Sequence, residues 1–367
     1  MRQVILTVDY EIFGNGTGDV RQHITEPTEC MARICEEHNS PLTVFVEMEE
    51  TLAFERNATE LRRQLGYDPY QIIRRQVADL GRRGHDIQLH LHPEWHNANL
   101  VGNQWQLDDS TATVDALFDS NEETADYIHA RKEALEEIIA PSTSNKHVIA
   151  YRAGAFSAQP GRKLIAALAA NEFALDTSVV HGLQRHDEHV HLDYRKAPAG
   201  RSTWRVDTDV ALEHLNGRLW EVPIASKPGR RFHQLTIGRL KAKFSKNVPK
   251  AQQSRLVKQL GVRKNPLHLV RFLAQRIPIK FDFHNVAPGK LVRWIRDLPA
   301  PPAGDLDVVV LIGHTKEHID DRGFESLVCG IKQAGMQIVG LDKIAAQLST
   351  FSGSTGAPPA PAGALSR

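Results

Sequence analysis

Two stretches of the chain place side chains that bind metal ions at alternating positions. Asp9 and Glu11 lie two residues apart near the start, and His90 and His92 repeat this spacing in a later apolar run. Side chains two apart on a β-strand point to the same face, so each pair can present both members on one side. Two imidazoles and one carboxylate are a common ligand set of hydrolytic Zn²⁺, with water in the fourth position. The spacing therefore predicts a metal centre, although either histidine alone would more often be an ordinary polar residue at a strand end.

These residues must be positioned by strands, and the sequence contains a regular series of them. Short runs rich in Val, Ile and Phe alternate with helical patterns, which is typical of a parallel sheet built from βα units. We predict strands at 3–9, 42–47, 86–91, 147–151, 173–176, 219–224, 307–312 and 336–340. We predict the helices at 30–38, 68–83, 121–139, 163–171, 253–260, 288–296, 322–334 and 341–348.

The polar candidates gather at one end of these strands. Each of the following lies at or just beyond a C-terminal strand end: Asp9, Glu11, His90, His92, Arg152, Asp176, Glu221 and His314. In a (β/α) barrel that edge is where the active site is built. We therefore expect an α/β fold, a distorted, TIM-like (β/α) barrel with loop insertions, formed by residues 1–348 as a single domain.

Three regions exceed a minimal barrel. Residues 93–120 form a long polar loop with Trp95 and Trp105, which we expect to cover the site and contact the substrate. Residues 225–281 form a basic insertion. The chain has 15 Lys or Arg and no Asp or Glu between residues 222 and 281, although the net charge of the whole chain is only +1. The Pro-rich tail at 349–367 has too few bulky apolar residues to pack, so we expect it to be disordered.

Four motifs surround these polar candidates, Thr-Val-Asp-Tyr-Glu, Gly-His-Asp-Ile, Tyr-Arg-Ala-Gly and Gly-His-Thr. They resemble motifs of the NodB-homology polysaccharide deacetylases, carbohydrate esterase family 4. Thr-Val-Asp-Tyr-Glu at 7–11 resembles the first-strand motif of that family, in the variant with one residue between its two carboxylates. Gly-His-Asp-Ile at 84–87 resembles the lead-in to its histidine motif, and His92 precedes a proline as the second histidine there commonly does. Tyr-Arg-Ala-Gly at 151–154 and Gly-His-Thr at 313–315 resemble its arginine motif and its late histidine motif.

The resemblance covers most of residues 1–345 and implies a NodB-type barrel with deacetylase activity. By the matching positions, it implies that Asp9 is the catalytic base. It likewise implies that Glu11, His90 and His92 are the metal ligands.

The spacing of the two histidines departs from that family. Its histidines are generally four residues apart, whereas His90 and His92 are two apart. Glu94, or His96 in the following loop, could therefore complete the site with His90 in place of His92. We favour His90 with His92, because strand periodicity aligns this pair without a special loop conformation.

Residues on later strands have expected roles as well, which the resemblance implies for Arg152 and His314. Arg152 is expected to hold the carboxylate base ionised and oriented, a task suited to a planar guanidinium. His314 is expected to protonate the leaving group. Asp176 is either the residue that orients and charges His314 or a turn or helix-cap residue. Glu221 matches another recurrent strand end without an assigned role, and Lys316 is expected to meet an anionic group of the substrate.

These parts imply metal-dependent hydrolysis of an amide. Zn²⁺, or another divalent ion, lowers the pKa of bound water towards ~7 and polarises the carbonyl. The expected substrate is an N-acylated sugar, N-acetylated in the first instance and linked to a nucleotide or a lipid. Removal of a formyl group needs the same machinery, so a deformylase is the alternative. The His-Leu-His-Pro variant at 90–93 resembles the branch found in lipopolysaccharide and O-antigen biosynthesis.

Charge and composition give expectations about partners and location. The basic stretch at 227–264 is expected to contact phosphate or an anionic membrane, unless it is a solvated insertion. It lacks a recognised nucleic-acid-binding fold, so we expect no nucleic-acid partner. The chain shows no secretory leader or membrane span, and its three cysteines form no paired motif, so we expect a cytoplasmic protein that could lie on a membrane surface. An alternative of a different class is a catalytically silent barrel that binds glycan or membrane through Trp95, Trp105 and the basic stretch.

Overall fold

The computed structural model describes residues 1–140, 148–231 and 274–354. Within these ranges the strands are β1 Gln3–Tyr10, β2 Thr43–Glu47, β3 Asp86–Leu91, β4 Asn99–Val101, β5 Gln104–Gln106, β6 Ala150–Ala153, β7 Leu175–Asp176, β8 Gln184–His186, β9 His191–Asp193, β10 Trp204–Val206, β11 Leu219–Glu221, β12 Ser226–Arg230, β13 Arg276–Lys280, β14 Val308–His314 and β15 Gln337–Ile338. The α-helices are α1 Glu26–Glu37, α2 Met48–Arg56, α3 Ala58–Leu65, α4 Pro69–Arg82, α5 Val114–Leu117, α6 Asn121–Ile139, α7 Arg162–Ala170, α8 Pro288–Arg296, α9 Asp321–Gln333 and α10 Leu341–Ser354.

One curled sheet organises the molecule. Its strand order is β10-β11-β7-β6-β3-β2-β1-β14, and β15 also pairs with β1. The pairings are parallel, apart from the antiparallel pair of β10 and β11. Single bridges join Ile224 to Val180 and to Val310, so the free edge of β14 is drawn towards the other end of the sheet. The predicted α/β fold is confirmed as a mixed α/β structure whose parallel sheet curls into a half-barrel.

The two-residue period of the strands separates two apolar layers. In β1, Val4 and Leu6 pack in the large apolar cluster formed with the helices. Ile5 belongs to a second cluster, inside the curl, together with apolar residues of β2, β6, β7 and β14. Thr7 and Asp9 continue the face of Ile5, so the interior changes from apolar to polar towards the C-terminal ends of the strands.

Most predicted elements are present. Each of the eight predicted strands has a counterpart in the sheet, and seven of the eight predicted helices have counterparts. The helix predicted at 253–260 lies outside the described residues. Helices α2 and α3 were not predicted. Helix α2 follows β2 without a turn, since Glu47 is both the last strand residue and the N-cap of the helix, and α3 follows α2 after the single residue Asn57.

The regions outside the barrel differ in detail from expectation. Residues 93–120 contain two short 3₁₀ turns, Pro93–Trp95 and Asp109–Thr111, together with the ribbon of β4 and β5, and α5. The ribbon of β12 and β13 flanks the basic insertion, whereas residues 232–273 of that insertion lie outside the described residues. Residues 349–354 of the expected disordered tail belong to α10, and the rest of the tail is not described. None of the helices in the described ranges has the length and apolar character needed to cross a membrane.

Candidate active site

Glu11, His90 and His92 form a compact group at the C-terminal ends of β1 and β3. Each offers one ligand atom, and the three atoms lie within 4.8 Å of one another. Oε2 of Glu11 is 2.9 Å from Nε2 of His92 and 3.7 Å from Nε2 of His90. The three residues are buried, with 9% exposure at most. Alternation along β3 carries both imidazoles to one face, and their rings meet edge to face with centroids 4.9 Å apart.

The second nitrogen of each imidazole is fixed by a hydrogen-bond partner. Nδ1 of His90 is 2.8 Å from the carbonyl oxygen of Arg152. Nδ1 of His92 is 2.8 Å from Oε1 of Glu94. Such partners hold the rings in place, and Nε2 becomes the electron-pair donor when a cation replaces its proton, as in other metal-binding histidines. Nε2 of His90 is buried and has no hydrogen-bond partner among the described residues.

A glycine makes room for the ring of His92. A Cβ atom at Gly154 would lie 2.6 Å from Cγ and 2.7 Å from Nδ1 of His92. Contacts this short do not occur between non-bonded atoms, so the imidazole occupies the volume that any other residue at position 154 would need. The Ala-Gly-Ala segment at the end of β6 thereby positions the residue that follows β3.

This donor set fits a divalent cation. Two imidazole nitrogens and a carboxylate oxygen are the ligands that catalytic Zn²⁺ sites use, with further positions left open. Burial alone raises the pKa of Glu11, but Lys316 and then His92 outweigh it and hold this pKa well below its usual value. The carboxylate of Glu11 is thus ionised at neutral pH. The buried Nε2 of His90 lies 3.7 Å from it and has no hydrogen-bond partner among the described residues.

Lys316 lies at the same carboxylate. Its Nζ is 2.7 Å from Oε1 of Glu11 and 2.8 Å from the carbonyl oxygen of Ile12. Burial lowers the pKa of Lys316, but the charge of Glu11 more than restores it, so the ammonium stays protonated. The ammonium of Lys316 is thus paired with Glu11 inside the site, and its contact with an anionic group of the substrate stays a prediction.

Asp9 and Arg152 form a buried ion pair beside the ligand group. Nη1 of Arg152 is 2.6 Å from Oδ1 of Asp9, and Nη2 donates to Oγ1 of Thr7 at 2.9 Å. The guanidinium also lies over the ring of Phe45, 4.1 Å from its centroid. Burial raises the pKa of Asp9, but Arg152, followed by His90 and His314, lowers it below the usual value. Asp9 is therefore a fixed, ionised carboxylate.

His314 faces Asp9 from the neighbouring strand. The parallel register of β1 and β14 pairs the two residues, and Nε2 of His314 is 3.5 Å from Oδ2 of Asp9. Nδ1 of His314 is 3.6 Å from Oε2 of Glu317, and Asn285 donates to both Glu317 and Asp282. Burial lowers the pKa of His314, but Glu317 and then Asp9 raise it above the usual value. The imidazole is therefore protonated over a wider pH range than an ordinary histidine.

Asp176 is not the partner of His314. Within the described residues, the carboxylates within ion-pair distance of His314 belong to Asp9 and Glu317. Leu175 points into the curl, so its neighbour Asp176 lies on the opposite face of β7. There it accepts a hydrogen bond from Ser178 at 2.8 Å and pairs in register with Glu221, and burial raises the pKa of both carboxyl groups. The prediction that Asp176 orients His314 is wrong, because the residue of β7 that points into the curl is Leu175 and not Asp176.

The two tryptophans predicted to contact substrate pack against each other, and Trp105 is only partly buried, so its contact with substrate stays a prediction. The Trp95 ring is 1% exposed and packs against Phe54 and Trp105, with centroids 6.2 Å and 5.1 Å away. Trp105 also packs against Phe54. The substrate-binding role predicted for Trp95 is therefore wrong, since a ring enclosed in this way offers no free face.

The alternative ligands left open by the sequence are placed differently from His92. Glu94 contacts the outer nitrogen of His92. His96 lies 3.5 Å from Glu49 and 3.2 Å from Arg131, with its ring against Phe118. The structure thus brings His90 and His92 to Glu11, while His96 is held in another group of side chains.

Sequence reasoning missed some residues of the site. Glu317 follows His314 by three residues, and an acidic residue one turn after a strand-end histidine would have been a usable signal. Glu47 accepts the N–H of His92 at 2.8 Å. It ends a predicted strand as Asp9 does and could have been selected on that ground. Nothing in the sequence alone indicates that Gly154 makes room for His92.

Comparisons with known proteins reveal similarity only at the level of structure. No family model matches the chain, and no curated protein matches its sequence. The chain is similar to a Mycobacterium smegmatis protein assigned as a polysaccharide deacetylase, with 16% identity, a TM-score of 0.47, and 98% of this chain and 94% of that chain covered.

Two further solved structures are more distant. One is a variant of the peptidoglycan deacetylase PdaC from Bacillus subtilis, with 8% identity, a TM-score of 0.39, and 96% and 94% of the two chains covered. The other is a pseudoenzyme of carbohydrate esterase family 4 from Bacillus anthracis, with 9% identity, a TM-score of 0.39, and 94% and 65% covered. The structural neighbours include polysaccharide and peptidoglycan deacetylases.

Proposed function

We propose that the chain is a metal-dependent hydrolase that removes an N-acyl group, N-acetyl in the first instance, from an amino sugar. One observation carries the proposal. Asp9, Glu11 and His314 bring their polar atoms within 4.8 Å of one another, and Glu11 also belongs to the group with His90 and His92. A carboxylate base, a cation-binding group and a protonated imidazole therefore share one space, which is what amide hydrolysis requires.

The residues of the chain divide the proton transfers between them. A divalent ion held by Glu11, His90 and His92 would supply acidity to water and polarise the amide carbonyl. Asp9, kept ionised and oriented by Arg152, accepts the proton of the attacking water. His314 donates a proton to the amide nitrogen as the carbon–nitrogen bond breaks. The products are one carboxylic acid, acetate for an acetyl group, and one free amine.

Charge supports a narrower choice of substrate. The basic residues between 222 and 281 would favour a sugar that carries phosphate, as part of a nucleotide or of a lipid carrier. They would also favour a negatively charged membrane surface. We therefore propose a precursor of lipopolysaccharide or of a related glycan, with Zn²⁺ as the metal. A formyl group in place of acetyl would use the same residues.

Release of the acid from defined substrates tests the proposal. The purified chain, loaded with Zn²⁺, is incubated with a panel of N-acetyl and N-formyl sugars in free, nucleotide-linked and oligomeric form, and acetate and formate are measured. Release by the wild type that disappears in Asp9→Asn is expected. Release that survives Asp9→Asn at the wild-type rate would remove Asp9 as the base, and binding of these sugars without release would favour the silent barrel.

A further inference from the structure

Two buried backbone N–H groups adjoin the proposed ligands, and both are satisfied by glutamates at the start of α2. The N–H of His92 donates to Oε1 of Glu47 at 2.8 Å. The N–H of Ile12, the residue after Glu11, donates to both carboxylate oxygens of Glu50, at 3.1 Å and 3.2 Å. Glu47 is 1% exposed and Glu50 is 2% exposed.

Glu47 is itself bound to the helix that carries Glu50. Its carboxylate caps α2 by accepting the N–H of Glu49 at 3.2 Å and the N–H of Glu50. The segment after β1 and the segment after β3 are therefore both held by the first turn of one helix. A shift of α2 would move Glu11 and His92, while loss of either carboxylate would release one of the two segments.

We propose that Glu47 and Glu50 are positioning residues, which fix the separation of Glu11 and His92 and thereby the affinity of the site for its cation. This inference rests on the proposed function, because it assumes that Glu11 and His92 bind a metal ion. Within the described residues, the hydrogen bonds that Glu47 and Glu50 accept come from main-chain N–H groups and not from the proposed ligand atoms. Each acts through a main-chain hydrogen bond, in the way that outer hydrogen-bond partners hold the ligands of metal sites.

Glu47 and Glu50 need different substitutions, because they accept hydrogen bonds from different numbers of N–H groups. Three N–H groups converge on the two oxygens of Glu47, so Glu47→Gln turns an NH₂ group towards at least one of them. Glu50 serves a single N–H, so a glutamine there would keep the acceptor and only Glu50→Ala removes it.

Glu49 provides the matched control. It is fully buried in the same helical turn, but its carboxylate binds Arg131 and His96 rather than a segment that carries a ligand. Glu49→Gln therefore disturbs the interior of the protein without touching the segments at residues 11 and 92.

Zn²⁺ affinity, measured by competition with a chromogenic chelator, tests the inference on the full chain. Glu47→Gln and Glu50→Ala are expected to bind Zn²⁺ roughly 10–100-fold more weakly than the wild type, and Glu49→Gln within about threefold of it. Co²⁺ spectra should show altered coordination in the first two variants alone. If both variants bind as Glu49→Gln does, the positioning role is overturned while the proposed function stands. If the wild type itself binds no Zn²⁺, both fall.

Hydrogen exchange in the unmodified protein covers the case in which the variants do not fold. The amides of Ile12 and His92 are expected to exchange as slowly as those inside β1 and β3, because their acceptors are buried. Exchange of these two amides at the rate of exposed loop amides would overturn the positioning role.

Discussion

Gly154→Ala is expected to weaken metal binding although it adds only one methyl group. The new Cβ would come within 2.6–2.8 Å of three atoms of the His92 ring, namely Cγ, Nδ1 and Cδ2. Ordinary van der Waals contacts between such atoms need at least about 3.4 Å, so the ring must move by several tenths of an ångström. That movement disturbs both of its contacts, the one with Oε2 of Glu11 at 2.9 Å and the one with Glu94 at 2.8 Å.

The size of the effect follows from losing one well-placed ligand. We expect the Kd for Zn²⁺ to rise by roughly 10–100-fold, which corresponds to about 1.4–2.8 kcal/mol, with a parallel loss of turnover at limiting metal. Chelator competition measures the first quantity and acid release the second. Thermal unfolding without metal is the check that the variant remains folded.

A second glycine provides the control for this substitution. A Cβ at Gly81, within α4, would meet its nearest atom only at 3.8 Å. Gly81→Ala should therefore be accommodated, stabilise α4 by roughly 0.5–1 kcal/mol and leave Zn²⁺ affinity unchanged. If Gly154→Ala binds Zn²⁺ as tightly as Gly81→Ala does, then His92 is not a ligand in the position described, and the reasoning is refuted.

Three other perturbations test the remaining parts of the site. Asp9→Asn should lower kcat by roughly 10²–10⁴-fold, while its Zn²⁺ affinity stays within about threefold of the wild type. Rate and binding are measured separately, and unchanged turnover would contradict the role of Asp9 as the base. Lys316→Met should remove the ammonium from the buried Glu11 carboxylate, which keeps only its contacts with His92 and His90. It should lower the metal-free unfolding free energy by roughly 1–3 kcal/mol, a loss that Zn²⁺ should largely reverse in thermal unfolding. Glu317→Gln removes the carboxylate that does most to raise the pKa of His314, so this imidazole should lose its proton at lower pH. The alkaline limb of the pH–kcat profile should therefore move to lower pH, and an unmoved limb would exclude His314 as the acid.

Strand periodicity explains why much of the site could be predicted. Asp9 and Glu11, and likewise His90 and His92, share a face because residues two apart on a strand always do, and parallel pairing brings those strand ends together. The same rule locates His314, since its strand pairs with β1 in a register that sets it opposite Asp9.

Phase and packing explain what could not be predicted. Asp176 ends an apolar strand as the other candidates do, but β7 turns this residue away from the interior of the curl. A two-residue strand has no periodicity from which that phase could be read. Trp95 lies in a polar stretch of sequence, and its burial depends on Phe54 and Trp105, which only the folded chain brings together. The contact of Gly154 with His92 is likewise a product of neighbouring strands.

The central claim is that Glu11, His90 and His92 bind a divalent ion that Asp9 and His314 use to hydrolyse an N-acyl sugar. The most direct measurement is acid release from the substrate panel by one preparation of the chain, first stripped of metal with a chelator and then titrated with Zn²⁺. We predict no release from the stripped protein and recovery that saturates at one Zn²⁺ per chain. Release that is indifferent to the chelator, or stoichiometric Zn²⁺ binding without hydrolysis of any N-acyl sugar, would contradict the claim.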